Sequence, residues 1–307
     1  MKESASYIKL PQFIIAGAAK SGTTSLSRYL SAHPEIYIPP QEMNYFSFAG
    51  NAPDFTVKNN RLLDDFEHYK SFYRFSHNPE NIVPGEKSVS YMYSPWCRQV
   101  IENIHSIHPL GEELKIIIIL RHPVERMYSQ YLFNTQSHEN LPFGQAISEW
   151  QERKKEGWVP AYDYVGTGYY AESVKAFLDN FNHVSVFLFD DLKKSPQSLL
   201  KKIYRSLGVD NTFIPEQLGE PYNASGLPGK NILGQLYKQK WLRRMASPAK
   251  TLIPGRALEH IMMRVKSRAL QKPDLSPSLK QELTELYKDD IRELEKIINR
   301  DLSHWSE

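Results

Sequence analysis

One cysteine in 307 residues, Cys97, is the first constraint. No intrachain disulfide can form and no cysteine-built zinc site can exist, so a reducing cytosol is the expected compartment. No stretch approaches the roughly 18 consecutive apolar residues of a membrane span, and residues 1–12 carry no apolar run of the secretory kind, so a soluble chain is expected. Ten histidines occur without metal-ligand spacing, and no metal is expected. A net charge of +3 is too small to imply a nucleic-acid partner, so any basic function must be local. Internal repeats and low-complexity tracts are absent, and nothing between residues 10 and 220 reads as a linker. One domain over residues 1–307 is expected.

Three apolar runs stand out: Phe13 to Ala16, Lys115 to Leu120 and Val184 to Phe189. Each is short and rich in Ile, Val or Phe, the composition of strands buried on both faces. Segments of helical period lie between and after them. Leu26 and Leu30 follow Thr23, and Cys97, Val100, Ile101 and Ile104 follow Ser94-Pro95, which read as N-cap and first helical residue. Val124, Met127, Tyr131 and Leu132 follow Pro123, and Tyr170, Val174, Phe177, Leu178 and Phe181 repeat the spacing. Ser276-Pro277 opens a closing helix whose stripe, Leu279, Leu283, Leu286, Tyr287, Ile291, Leu294 and Ile298, is expected to be core. The alternation predicts an α/β fold, a central parallel sheet with helices on both faces and the ligand at the carboxyl ends of the strands. Residues 49–82 have no clear period and are expected to cross the active face. Residues 238–272 hold ten Lys or Arg against one acid, Glu259, with apolar residues interspersed. This basic amphipathic segment is expected to be a lid, an acceptor- or membrane-facing surface, or a solvated helical face.

The first strand runs into Gly17-Ala18-Ala19-Lys20-Ser21-Gly22-Thr23-Thr24-Ser25. A glycine-rich turn opening a helix presents unpaired N–H groups and a partial positive charge, which suits a phosphate or sulfate. Gly17 and Gly22 have the spacing of a nucleoside triphosphate P-loop, but there the lysine follows the second glycine, whereas Lys20 precedes it. After the second strand comes Arg121-His122-Pro123-Val124-Glu125-Arg126-Met127-Tyr128-Ser129-Gln130-Tyr131. A nucleoside triphosphatase would hold magnesium with an aspartate at that strand's end. Arg121 stands there instead, where a guanidinium can grip an anion through two hydrogen bonds and the Ser129 hydroxyl can join it.

Lys20-Ser21-Gly22-Thr23-Thr24 resembles the 5′-phosphosulfate loop, and Arg-x-Pro-x-x-Arg-x-x-Ser-x-Tyr the 3′-phosphate motif, of sulfotransferases that use 3′-phosphoadenosine 5′-phosphosulfate (PAPS). The likeness continues through Gly168 to Phe181, Asp190-Asp191-Leu192, Leu207-Gly208 and residues 301–305, so it covers most of the chain. It implies a P-loop-like fold, metal-free in-line transfer from PAPS to an alcohol, and adenosine 3′,5′-bisphosphate as product. It carries nucleotide binding onto Lys20, Ser21, Gly22, Thr23, Thr24, Ser25, Arg121 and Ser129, and onto Lys230 in a loop expected to close over the nucleotide. Gln41-Glu42-Met43-Asn44-Tyr45-Phe46 is similar to the Lys-Glu-x-x-Phe-Phe segment of the heparan-sulfate type and its bacterial relatives, which makes Glu42 the general base, with Gln41 in place of lysine. Glu86-Lys87-Ser88-Val89-Ser90-Tyr91 resembles that group's Glu-Lys-Ser-Pro-x-Tyr, with Val89 in place of proline. Lys87 is then a second cation at the transferring group or a partner for Glu42. His33, His105, His108 and His122 are the alternative bases. A kinase, or a nucleotide-binding module without chemistry, is the alternative function, and the acceptor is expected among lipid, saccharide and polyketide alcohols.

Overall fold

The computed structural model describes residues 6–56, 63, 65–219, 227–228, 270–271 and 273–306. Among these a five-stranded parallel sheet forms the centre. Its strands are β1 (Phe13–Gly17), β2 (Ile36–Tyr37), β3 (Val83–Lys87), β4 (Lys115–Leu120) and β5 (Val184–Leu188), in the order β2-β3-β1-β4-β5. The P-loop-like α/β architecture expected from the sequence is therefore present.

The doubly apolar strands explain the two layers. Ile14 and Ala16 of β1 face one side with Ile116 and Ile118 of β4, and Phe13 and Ile15 face the other with Ile117 and Ile119. The first side is covered by α2 (Ser94–Ile107), α3 (Pro123–Asn134), α4 (Ala171–Asn180) and the C-terminal pair α7 (Pro277–Glu285) and α8 (Lys288–Ile298). The second is covered by α1 (Thr23–Ser31) and α6 (Pro196–Leu207), which follows the short α5 (Phe189–Lys194). Ile116 to Leu120 are all at most 1% exposed. At about 2 kcal/mol of transfer free energy per such side chain, the strand ending at Arg121 is strongly fixed.

The connection from β1 goes through α1 to one face, and that from neighbouring β4 goes through α3 to the other. Such a divergence opens a crevice at the carboxyl ends of the two strands. Ile15 pairs in register with Lys87, Gly17 with Ile118, and Ala18 N–H donates to Ile119 O at 2.8 Å. Lys87, the Gly17–Gly22 turn and Arg121 therefore share one edge.

Four expectations are corrected in detail. The last strand stops at Leu188, and Phe189 opens α5 instead. Tyr93 caps α2, so Ser94 is its first residue, and the Ser94 hydroxyl donates to Glu172 Oε2 at 2.6 Å. The closing helix is two helices. Tyr287 N–H reaches back only three residues, to Thr284 O, and the buried Tyr287 hydroxyl donates to Val165 O at 2.9 Å, which leaves Leu286 50% exposed rather than in the core. Residues 49–82 include a helix, Phe66–Ser71, and a strand, Arg74–Phe75, antiparallel to Tyr7–Ile8. Of residues 238–272 only Leu270 and Gln271 are described, paired with Leu227–Pro228. Among the described residues no helix is long and apolar enough to cross a membrane.

Candidate active site

The turn between β1 and α1 is built around Gly22, whose φ of 94° is left-handed. A Cβ there would lie 2.8 Å from Phe189 Cδ2 and 2.9 Å from Leu192 Cδ2, so only glycine fits both the backbone and the space. Helix α1 has neither a side-chain cap nor an acid in its first turn. Leu26 N–H closes that turn on Gly22 O at 3.0 Å, and the amides ahead of it are those a helix leaves unbonded. The positive helix end thus meets no carboxylate of its own, the condition an anion needs. Ser21 and Thr23 are buried, and Thr24 and Ser25 half-buried. Lys20 also has a left-handed backbone, φ 64°, and its ammonium lies 4.2 Å from the centre of the Phe133 ring.

Arg121 joins this turn directly: its Nη1 donates to Lys20 O at 3.4 Å. Tyr170 holds its backbone by donating to Arg121 O at 3.0 Å, and Phe189 places a ring 4.8 Å from the guanidinium carbon. Phe189, expected only as a strand residue, therefore walls both Gly22 and Arg121. The guanidinium's fork is engaged by Glu125, one helical turn on: Nε and Nη2 donate to Glu125 Oε2 at 3.2 and 2.9 Å. Ser129 lies further along α3 and is buried.

Glu42 and Lys87 meet although 45 positions separate them. Lys87 ends β3, Glu42 follows the Pro39-Pro40 turn, and Lys87 Nζ stands 3.2 Å from Glu42 Oε1. Their side chains are 10% and 20% exposed, so the pair is shielded yet reachable from the crevice edge. Gln41, in the place of the lysine, is exposed. Val89, in the place of the proline, begins a 3-10 turn over Val89–Met92.

Glu86, Tyr69 and Tyr91, which sequence reasoning assigned no role, lie completely buried behind this pair with their polar groups joined. A carboxylate beside Lys87 was the available signal, but its burial comes from strand pairing with β1, 72 positions away at Ile14.

The alternative bases have other engagements. His33 contacts Asp210 O through Nε2 at 2.9 Å and packs on Tyr204 and Phe213 under α6. His105 is exposed and contacts Asn180 O at 3.1 Å. His108 and His122 each accept an amide two residues on through Nδ1, and burial pushes both rings down to about 4. Lys230 lies outside the described residues. Among the described residues no group of three or more His, Cys, Asp or Glu is arranged to hold a metal ion.

Residues 11–213 match the family model described as "Sulfotransferase family". A sulfotransferase from Alicyclobacillus acidocaldarius superposes with a TM-score of 0.72 at 28% identity, covering 98% of this chain and all of that one. The membrane-associated sulfotransferase kil1 of Dictyostelium discoideum is 35% identical over 129 residues, 41% of this chain and 24% of that protein. Human heparan sulfate glucosamine 3-O-sulfotransferase 6 is 26% identical over 210 residues, 66% of this chain and 53% of that protein. The chain thus spans about a quarter to a half of these two relatives. With the family model matched over two thirds of its length, this chain belongs to the sulfotransferase family.

Proposed function

We propose that the protein transfers a sulfuryl group from PAPS to an acceptor hydroxyl, with Glu42 as general base, as a cytoplasmic enzyme of bacterial type. The observation that carries this reading is the Glu42–Lys87 contact of 3.2 Å on the sheet edge that also holds the Lys20 turn and Arg121. The site suits the donor's charges. The amides of residues 22–25 and the Lys20 ammonium fit a 5′-phosphosulfate, and Arg121 with Ser129 fits a 3′-phosphate.

The donor supplies an activated sulfuryl group, and this chain's residues supply alignment and charge. Glu42 takes the acceptor's proton as the acceptor oxygen bonds to sulfur and the bond from sulfur to the bridging oxygen breaks. Lys20 and the helix amides stabilise the negative charge gathering on the departing phosphate, and Lys87 stabilises the charge on the transferring group. The products are the sulfate ester, the bisphosphate nucleotide and protonated Glu42. A kinase is disfavoured by Lys20 preceding Gly22 and by Arg121 at the end of β4.

A screen of lipid, saccharide and polyketide alcohols for labelled sulfate uptake from PAPS identifies the acceptor. With that acceptor, Glu42→Gln is expected to keep nucleotide affinity and lower turnover by about a hundredfold to ten-thousandfold. Near wild-type turnover, with chemistry limiting, would move the base elsewhere.

A further inference from the structure

Glu86 precedes Lys87 on β3, pairs in register with Ile14 of β1 and has no exposed surface. Three hydroxyls converge on its carboxylate. Ser88 Oγ and Tyr91 Oη donate to Oε1, each at 2.6 Å, and Tyr69 Oη donates to Oε2 at 2.6 Å. Burial pushes this carboxyl up in pKa, and the three hydroxyls pull the other way. Removing a carboxylate from water is costly, and an apolar residue would fill a strand position without that cost.

Two of the hydroxyls also reach the segment that carries Glu42. Asn44 N–H donates to Ser88 Oγ at 2.9 Å, and Phe46 N–H donates to Tyr91 Oη at 3.0 Å. Each hydroxyl accepts an amide and still has its own proton to give, and both give it to Glu86 Oε1. The carboxylate therefore orients two hydroxyls, and they hold two backbone amides that follow Glu42 by two and four positions. Ser90 Oγ adds a parallel tie, donating to Asn44 Oδ1 at 2.6 Å. Asn44 itself has a left-handed backbone, φ 50°, which such ties can hold.

We propose that Glu86 is a positioning residue for the reacting pair: through Ser88 and Tyr91 it clamps the Asn44–Phe46 backbone to the end of β3 and so keeps Glu42 against Lys87. This rests on the reading of Glu42 and Lys87 as the reacting pair, and the clamp joins the two segments that supply them. Deleting the clamp frees the Glu42 segment while leaving Lys87 on its strand.

The test reads the pair without an acceptor. Lys87 acylation by acetic anhydride is followed by mass spectrometry in wild type, Glu86→Leu, which has no acceptor for the two hydroxyls, Glu42→Gln and the double variant, with exposed Lys175 as the internal reference. Each single variant is expected to acylate Lys87 about fivefold faster, and the double variant no faster than either, because both changes remove one interaction. A folded Glu86→Leu protein with the wild-type Lys87 rate would overturn the proposal, as would fully additive effects, which indicate general loosening. If circular dichroism shows Glu86→Leu unfolded, Ser88→Ala and Tyr91→Phe replace it. Wild-type Lys87 rates in both would equally reject the clamp. Turnover of Glu42→Gln judges the assignment of the base separately.

Discussion

At the scale of single residues, Arg121 and Glu125 hold the most consequential balance. The guanidinium proposed to grip a 3′-phosphate is met by a carboxylate at 2.9 and 3.2 Å, and that carboxylate must give way to a phosphate on the same fork. Arg121→Ala is expected to weaken adenosine 3′,5′-bisphosphate binding by about 2 kcal/mol or more, with no effect on ligands lacking the 3′-phosphate. Glu125→Gln removes the competing charge and is expected to tighten the same nucleotide. Calorimetric titration of both variants checks the pair. Weaker binding by Glu125→Gln would show that the carboxylate aims Arg121 rather than competes for it. The position of Arg121 was legible because an apolar strand ends there. Its engagement by Glu125 was not, since Arg121 precedes the helix that carries Glu125 and the contact exists only once the rotamers are known.

At the scale of elements, legibility followed composition. β4 is Ile-rich and was visible as a strand, whereas β3 reads Val-Pro-Gly-Glu-Lys, and it becomes a buried strand through its pairing with β1 and β2, with three hydroxyls meeting the Glu86 carboxylate. β2 has two residues, too few to show a period. The C-terminal stripe looked continuous because Tyr287 keeps the helical phase across the break, while the tie to Val165 that accompanies the break lies 122 positions away. The β1–α1 turn was readable from its glycines, and it carries an element-scale prediction. Gly22→Ala introduces a methyl group 2.8 Å from Phe189 at a φ of 94°, so it is expected to destabilise the fold by about 2 kcal/mol and to weaken nucleotide binding by displacing Phe189 from Arg121. Thermal unfolding with and without nucleotide measures both effects. An unchanged midpoint would mean that the turn accommodates a side chain.

At the scale of the whole molecule, the sheet order β2-β3-β1-β4-β5 brings the candidate site residues to one edge. β1 at the centre delivers the Gly17–Gly22 turn, β4 on one side delivers Arg121, and β3 on the other delivers Lys87, with Glu42 held against it. Local motifs announced each contribution, and their meeting depends on strand order, which no single motif contains. In the proposed function this edge binds a nucleotide with a 3′-phosphate, without a metal. The most direct test of this reading is a thermal-shift comparison of adenosine 3′,5′-bisphosphate with magnesium ATP on the wild-type chain. The bisphosphate is expected to bind at about micromolar dissociation constant or tighter and to stabilise the fold by about 2.7 kcal/mol at a hundredfold excess over that constant, with magnesium ATP far behind. A larger shift with magnesium ATP would contradict the account and favour a kinase.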